Sequence, residues 1–200
     1  MVSGHGADGL PHVAYVALPF VEGDHADGHV LGVGVAVPYA LSGRERAVLL
    51  RALLDESDPL TTLTGPWRDP LELEYRPERT EPWGLVPDRW TADRRGARIW
   101  ASATPVMLDR FPKRHRDAAD LVAESLVTAG YPEPYALEIL PTTAVRGGVH
   151  RPRANTLPEG RHRRPFVHCR VEFATPVVGP VVAGALRYLG IGLFVPERKK

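Results

Sequence analysis

Residues 99–130 read IWASATPVMLDRFPKRHRDAADLVAESLVTAG and predict a strand, a charged turn and a helix. The apolar, partly β-branched run 99–108 favours the strand. The helix over 117–129 ends before Gly130 as its C-cap. Its inward face is formed by Ala118, Leu121, Val122, Ser125 and Leu126. A strand followed by an amphipathic helix is the first half of a ferredoxin-like unit.

The residues that follow complete a β-α-β-β-α-β order. Strands are predicted at 135–140, 166–173 and 191–195, and a short helix of small residues at 179–188. This order is the ferredoxin-like arrangement, with both helices expected on one face of an antiparallel sheet.

The first half of the chain predicts a shorter β-β-α-β unit. Alternating apolar residues favour strands at 12–20 and 29–37, and one or two more at 60–76. Ser42 and Glu45 have the spacing of a capping box before a helix over 43–55. Its inward face is formed by Val48, Leu49, Ala52 and Leu53. The predicted fold class is α+β, with tandem ferredoxin-like (RRM-like) folds, of which the first is incomplete.

The predicted domain organisation has four parts. A disordered, Gly-rich lead covers residues 1–11, and a basic tail covers 197–200. An N-terminal subdomain spans 12–96 and a C-terminal subdomain spans 97–196. The boundary falls in a segment rich in Pro, Arg, Asp and Trp, at 76–96.

The composition is that of a globular protein. Of 200 residues, 44% are hydrophobic and 24% charged, which argues against wholesale disorder. Cys169 is the single cysteine, so a disulfide framework and a cysteine-rich zinc module are excluded. The first ten residues contain no Lys or Arg, and the apolar stretch 177–195 is interrupted by Arg187 and five Gly or Pro. We therefore expect a cytoplasmic protein without a membrane partner.

The two halves of the chain differ in charge. Residues 1–100 hold 10 basic and 15 acidic side chains, whereas residues 101–200 hold 15 and 9. Such asymmetry favours a polyanionic partner for the later half. The cations are 22 Arg and three Lys; Arg suits bidentate phosphate recognition, although a GC-rich genome produces the same bias.

A long basic loop is predicted at 145–165. From Val145 to Arg170 there are seven Arg and three His, and Glu159 is the only acid. A cationic loop between strands attracts phosphate backbones through counterion release, while a solvated loop without a partner is the alternative. Phe166, Tyr135 and Trp100 are candidates for stacking on bases, or for the core.

The segment Asp24-His25-Ala26-Asp27-Gly28-His29, which we call the DHADGH loop (24–29), places two imidazoles and two carboxylates within six residues. Imidazole titrates near neutral pH and can move protons, and a neighbouring carboxylate can fix its tautomer. Metal binding by the same four side chains and a plain polar turn are the alternatives. No Cys pair or H-E-x-x-H helix supplies further metal ligands.

Two further segments suit anions. The run TPVMLDRFPK at 104–113, continued by Arg114, His115 and Arg116, brings cations to a helix N-terminus, where a solvated charge cluster is the alternative. Residues 179–194 are Gly-rich, so their backbone can approach a phosphate that Arg187 would clamp. A full G-x-G-x-x-G, a P-loop and a nucleophile elbow are absent from the sequence.

Three of these motifs together, HADGH, TPVMLDRFPK and GPVVAGALRYLGIGLF, resemble the type I-G (formerly I-U) CRISPR-associated fused subunit. The chain is similar to its C-terminal, endoribonuclease-like part over about residues 10–196, within the repeat-associated mysterious protein superfamily. The resemblance implies cleavage of precursor CRISPR RNA within each repeat without metal or cofactor. In that reaction the 2′-hydroxyl attacks the adjacent phosphorus and leaves a cyclic phosphate.

The resemblance also implies site residues and partners. The catalytic candidates are His25, His29 and Lys113, with Arg110 as a second charge stabiliser. The partners are CRISPR repeat RNA and other type I-G effector subunits. The candidate RNA-binding residues are Arg110, Arg114, Arg146, Arg151, Arg153, Arg161, Arg163, Arg164, Arg187, Gly190 and Gly192.

Two other functions stay open at this point. A non-catalytic RNA-binding subunit of an effector complex needs the basic loop and no histidine. A metal-dependent hydrolase would use Asp24, His25, Asp27 and His29 as ligands.

Overall fold

The computed structural model describes residues 12–38, 40–55, 57, 60–64, 69–75, 83–152 and 164–197. The chain divides into two compact units, one of residues 1–13 and 37–79 and a larger one of residues 14–36 and 80–200. The grouping differs from the predicted division at residue 96, because residues 14–36 join the later part of the chain. The predicted lead 1–11 and the tail from residue 198 lie outside the described residues.

The described residues form nine strands and three α-helices. Their bounds are β1 (Ala14–Pro19), β2 (Val30–Ala36), α1 (Gly43–Leu53), β3 (Thr62–Leu63), β4 (Leu71–Glu72), α2 (Pro87–Thr91), β5 (Ala97–Ser102), β6 (Val106–Met107), α3 (Ala118–Thr128), β7 (Pro134–Leu140), β8 (Phe166–Val177) and β9 (Phe194–Pro196). Short 3₁₀ turns cover Trp83–Leu85 and Arg187–Leu189.

The smaller unit contains α1 and the hairpin of β3 and β4. Helix α1 begins with the predicted capping box, in which the Glu45 amide donates to the Ser42 hydroxyl and the Ser42 amide donates to the Glu45 carboxylate. Leu49 is buried and Leu53 is half-buried, but Val48 is 65% exposed and Ala52 is exposed, so the inward face predicted for this helix is wrong at Val48 and Ala52. The predicted strand region 60–76 is confirmed as two very short antiparallel strands.

The larger unit contains a five-stranded antiparallel sheet with the ferredoxin-like strand order. Strand β5 lies between β8 and β9, β7 pairs with the other edge of β8, and β6 continues alongside the start of β8. The order β9-β5-β8-β7 corresponds to fourth, first, third and second strand of the β-α-β-β-α-β unit. The α+β, ferredoxin-like prediction is therefore confirmed.

Both faces of the sheet are covered within this unit. Trp100 points to one face, where it joins Phe173 and the buried side of α3. Ala101 points to the other, where it packs with Val16 of the β1–β2 hairpin. This alternation follows from the two-residue period of a strand, and burial on both sides explains why β5 reads as a continuous run of uncharged residues after Arg98.

The second predicted helix of this unit is wrong. Residues 179–188 form turns, an isolated bridge between Val182 and Leu193, and part of the 3₁₀ turn Arg187–Leu189. Glycines interrupt the segment, and Gly184 has φ +96°, which a helix does not allow. Among the residues that the structure describes, no helix is both long and apolar enough to cross a membrane.

Candidate functional site

Two loops of the larger unit leave the sheet at the same end, and a third segment returns to it there. Ser102 pairs with Phe194, Met107 with Phe166, and Leu140 with His168, so β5 and β7 finish where β8 and β9 begin. Loop 103–117 and the described residues of loop 141–165 therefore lie at this end, which we call the basic end. Segment 178–193 leaves the opposite end, where Val177 pairs with Ala97, and reaches the basic end before β9. Within it, the described residues of segments 109–116 and 145–165 include seven Lys or Arg and one acid. Such an arrangement creates a strong positive potential.

The DHADGH loop (24–29) is held against the first residues of the basic loop. The Glu22 amide donates to the Arg146 carbonyl at 3.0 Å. The Arg146 guanidinium donates to the Asp24 carbonyl, and one of its nitrogens lies 3.9 Å from the Asp24 carboxylate. The imidazole-bearing hairpin and the start of the Arg-rich loop therefore form one surface.

Two glycines allow this close approach. A Cβ added to Gly28 would lie 2.5 Å from the Gly147 carbonyl oxygen, and a Cβ on Gly147 would lie 2.6 Å from the Phe20 carbonyl oxygen. Both glycines have positive φ, at +79° and +74°. Any larger residue at either position would separate the two loops.

The two histidines of the DHADGH loop differ in their surroundings. His29 Nδ1 lies 2.5 Å from Asp27 Oδ1, which also accepts the His29 amide at 3.0 Å. These hydrogen bonds from His29 lower the pKa of the Asp27 carboxyl. Since the carboxylate holds a proton on Nδ1, the imidazole Nε2 is left to accept one. His25 is exposed to solvent.

An ion pair between a buried arginine and a partly exposed glutamate, which the sequence analysis missed, anchors the β1–β2 hairpin. Arg89 of α2 is 1% exposed, and its guanidinium donates to Glu22 Oε2 at 2.6 Å. Glu22 itself has φ +60°, so this backbone conformation is held by its tertiary contacts. The two residues are 67 positions apart, and no local pattern pairs them.

A second buried group, His168, ties the basic loop to the sheet. Its Nε2 lies 3.1 Å from the His150 carbonyl, and its Nδ1 lies 3.1 Å from the Ser102 hydroxyl. The Ser102 hydroxyl also accepts the Cys169 amide at 3.0 Å. A neutral imidazole that donates from Nε2 and accepts at Nδ1 satisfies every partner. Burial lowers the pKa of His168.

We expect His168 to make stability depend on pH. Its pKa is lower in the folded chain than the ordinary 6.5, so the unfolded chain binds the proton more tightly. The free energy of unfolding therefore falls as pH drops below about 6.5 and continues to fall until the folded-state pKa is passed. Urea unfolding at about pH 7.5 and about pH 5.5 should show a smaller pH difference for His168→Gln than for the unaltered protein. His115→Gln, at an exposed histidine, is the control, and an equal pH difference in all three proteins would contradict the expectation.

The predicted anion site at the start of α3 is closed by the chain itself. The Asp117 carboxylate accepts the amides of Ala119 and Asp120 at 2.8 and 3.0 Å. The Asp120 carboxylate in turn accepts a hydrogen bond from the Asp117 amide at 3.0 Å, which completes a capping box. Any anion at this loop would have to be held by side chains, because these helix amides are already paired.

The cations of the 109–116 loop point mainly into solvent. Arg110, Lys113 and Arg114 are exposed, whereas Arg116 pairs with Glu124. Arg164 donates to the Asp109 carbonyl at 2.5 Å, so the end of the basic loop lies against this loop. Arg151 is exposed, while Arg153, Arg161 and Arg163 lie outside the described residues.

The Gly-rich segment is packed into the fold. The amide of Gly190 donates to the Arg187 carbonyl at 3.3 Å, and that of Gly192 to the Thr104 hydroxyl at 2.9 Å. The amides expected to approach a phosphate are thus already paired. Arg187 stacks 4.4 Å over the Tyr188 ring and donates to the Gly184 carbonyl at 3.1 Å.

Two remaining sequence expectations concern metal ligands and stacking. Among the described residues, no group of three or more His, Cys, Asp or Glu side chains is arranged to hold a metal ion. Trp100 is fully buried in the core, whereas Tyr135 and Phe166 are 74% and 36% exposed.

A comparison with protein-family models gives a match over almost the whole chain. Over residues 1–196 the chain matches the model of a family described as CRISPR-associated protein, GSU0054 family. Searches of the curated proteins and of the solved structures gave no significant match. Because the family match covers almost the whole chain, the protein with this DHADGH loop and basic end belongs to the GSU0054 family of CRISPR-associated proteins.

Proposed function

We propose that the chain binds precursor CRISPR RNA at the basic end and cleaves it within each repeat. The observation that carries this proposal is the contact between the DHADGH loop and Arg146. It joins the loop that carries both imidazoles to Arg146, in a chain that belongs to a CRISPR-associated family. The proposed partners include repeat RNA and the other subunits of a type I-G effector complex.

The proposed reaction is an internal transesterification. A base takes the proton of the 2′-hydroxyl, whose oxygen bonds to the adjacent phosphorus. The bond to the 5′-oxygen breaks, and an acid protonates that oxygen, which leaves a 2′,3′-cyclic phosphate and a 5′-hydroxyl. His29, oriented by Asp27, is proposed as the base and His25 as the acid. Lys113 and Arg110 would stabilise the charge that develops on the phosphoryl oxygens.

The test is cleavage of repeat RNA from the accompanying CRISPR array in the presence of EDTA. We expect a single cut per repeat, a cyclic phosphate on the upstream product, and no cut when the attacking ribose is 2′-deoxy. Cleavage that requires a divalent ion, or that proceeds with the 2′-deoxy substrate, would contradict the mechanism.

A non-catalytic RNA-binding subunit is the second candidate. The observation that favours it is the exposure of both His25 and His29, since general acids and bases usually lie in partly closed clefts. It predicts tight repeat-RNA binding without cleavage between about pH 5 and about pH 9.

RNA binding should weaken strongly with salt, because Arg–phosphate contacts release counterions. Replacing Arg161, Arg163 and Arg164 together with alanine should reduce the slope of log K against log salt by about 2, or about 0.7 per lost contact. The matched control is Arg94, Arg95 and Arg98, three exposed arginines at the opposite end of β5. An equal effect of both triple variants would contradict binding at the basic end.

A further inference from the structure

We infer that Phe111 is a stacking platform for one unpaired base of the bound RNA, an inference that rests on the proposed function. Phe111 lies in the 109–116 loop and is 62% exposed. A single exposed aromatic is common on protein surfaces and by itself carries nothing. Phe111 differs from such a residue because exposed cations flank it and its loop is held in place.

Cations surround Phe111 along the chain. Arg110 precedes it, and Lys113 and Arg114 follow, all exposed. The nearby acids are largely engaged: Glu124 pairs with Arg116, and Asp117 and Asp120 cap each other's amides. The Asp109 side chain is the exposed exception. A planar ring with positive charge on both sides suits a base and its flanking phosphates, as in proteins that bind single strands.

The loop that carries Phe111 is held at both ends. The Leu108 amide donates to the Pro165 carbonyl at 2.9 Å, and Arg164 donates to the Asp109 carbonyl. Lys113 and Arg116 exchange two backbone hydrogen bonds, at 2.8 and 2.9 Å, which close a tight turn. Pro112 further restricts the backbone of Phe111 to extended conformations. A backbone that is already held in place reduces the conformational entropy lost when a base stacks on the ring.

The position of Phe111 at the basic end separates it from another exposed aromatic of the same unit. Tyr135 is 74% exposed and lies at the beginning of β7, whereas the basic end is where β7 finishes. Alanine substitution at the two positions therefore tests whether any exposed aromatic ring of this unit contributes to RNA binding, or only a ring at the basic end.

The experiment measures binding of a mixed-sequence single-stranded RNA of about twelve nucleotides and of its blunt-ended duplex, at one fixed salt concentration. Phe111→Ala should weaken single-strand binding about 5- to 100-fold and leave duplex binding nearly unchanged, since paired bases offer no free face. Phe111→Tyr should retain the affinity, Phe111→Leu should lose it, and Tyr135→Ala should have no effect.

Three outcomes would overturn the inference in distinguishable ways. If the unaltered protein binds neither RNA, the proposed function fails and the stacking role fails with it. If it binds RNA and the Phe111→Ala variant binds the single strand equally well, only the stacking role fails. Contact of the Phe111 ring with a protein partner then becomes the better explanation of its exposure. If Phe111→Leu binds as well as Phe111→Tyr, the ring contributes apolar contact rather than stacking.

Discussion

Replacement of His25 and His29 together with alanine is expected to reduce the rate of repeat cleavage by about 10²- to 10⁴-fold, the usual contribution of general acid–base catalysis. RNA affinity should be retained, because the double variant keeps every Arg and Lys that is proposed to bind phosphates. The measurement is single-turnover cleavage at saturating protein, with binding followed separately. His115→Ala is the control, since His115 is also exposed and lies at the basic end.

The single variants should show whether Asp27 acts through His29. His29→Ala and Asp27→Asn should act in the same direction, because the Asp27 carboxylate holds the proton on His29 Nδ1. Asp27→Asn is the milder change, as it preserves size and removes only the charge. Unaltered cleavage by the double variant would exclude both histidines from the chemistry, and other residues of the chain would then have to act as acid and base.

The elements that could be predicted from the sequence are those fixed by local contacts. The capping box at Ser42 joins residues three positions apart and begins α1, as predicted. The capping box at Asp117 has the same spacing but was not predicted, and it occupies the helix amides where an anion site was expected. The buried side of α3 follows from its helical period, and Gly130 follows it in the left-handed conformation. The order β9-β5-β8-β7 followed from the succession of elements, since few arrangements of strand, helix and two strands are allowed. The predicted strand 99–108 is divided in the structure into β5 and β6.

The site contacts could be predicted only in part. The sequence indicated the DHADGH loop and the basic loop separately, and the structure adds the contact between them through Arg146. The ion pair of Arg89 with Glu22 and the link from Ser102 to His168 join residues 67 and 66 positions apart. The first pair depends on how the β1–β2 hairpin packs against the later part of the chain, and the second depends on the pairing of β5 with β8. No local pattern encodes either of them.

The predicted helix at 179–188 failed for a related reason. Its small residues suit a helix packed against a sheet, but they also suit an irregular segment packed tightly against backbone. Gly184 donates its amide to the Ser125 hydroxyl at 2.7 Å, and a Cβ there would lie 2.5 Å from the Met107 carbonyl oxygen. The glycines of this segment therefore serve close packing, which tertiary structure imposes.

Gly192→Ala provides the strongest test of that packing role. A Cβ at Gly192 would lie 1.9 Å from the Ala183 carbonyl oxygen, and the residue has φ +84°. Left-handed backbone costs a non-glycine residue about 1–2 kcal/mol, and overpacking adds about 1–3 kcal/mol. We therefore expect Gly192→Ala to lower the free energy of unfolding by about 2–5 kcal/mol, measured by urea denaturation.

Gly130→Ala is the matched control, because it isolates backbone strain from packing. Gly130 has φ +95°, but a Cβ there meets nothing within 4 Å, so only the strain of about 1–2 kcal/mol should appear. The difference in unfolding free energy between the two variants measures the cost of placing a Cβ where Gly192 closely approaches Ala183. If Gly192→Ala instead left stability unchanged and weakened RNA binding, Gly192 would belong to the RNA surface. The Thr104 hydroxyl, which accepts its amide in the present fold, would then have to release it when RNA binds.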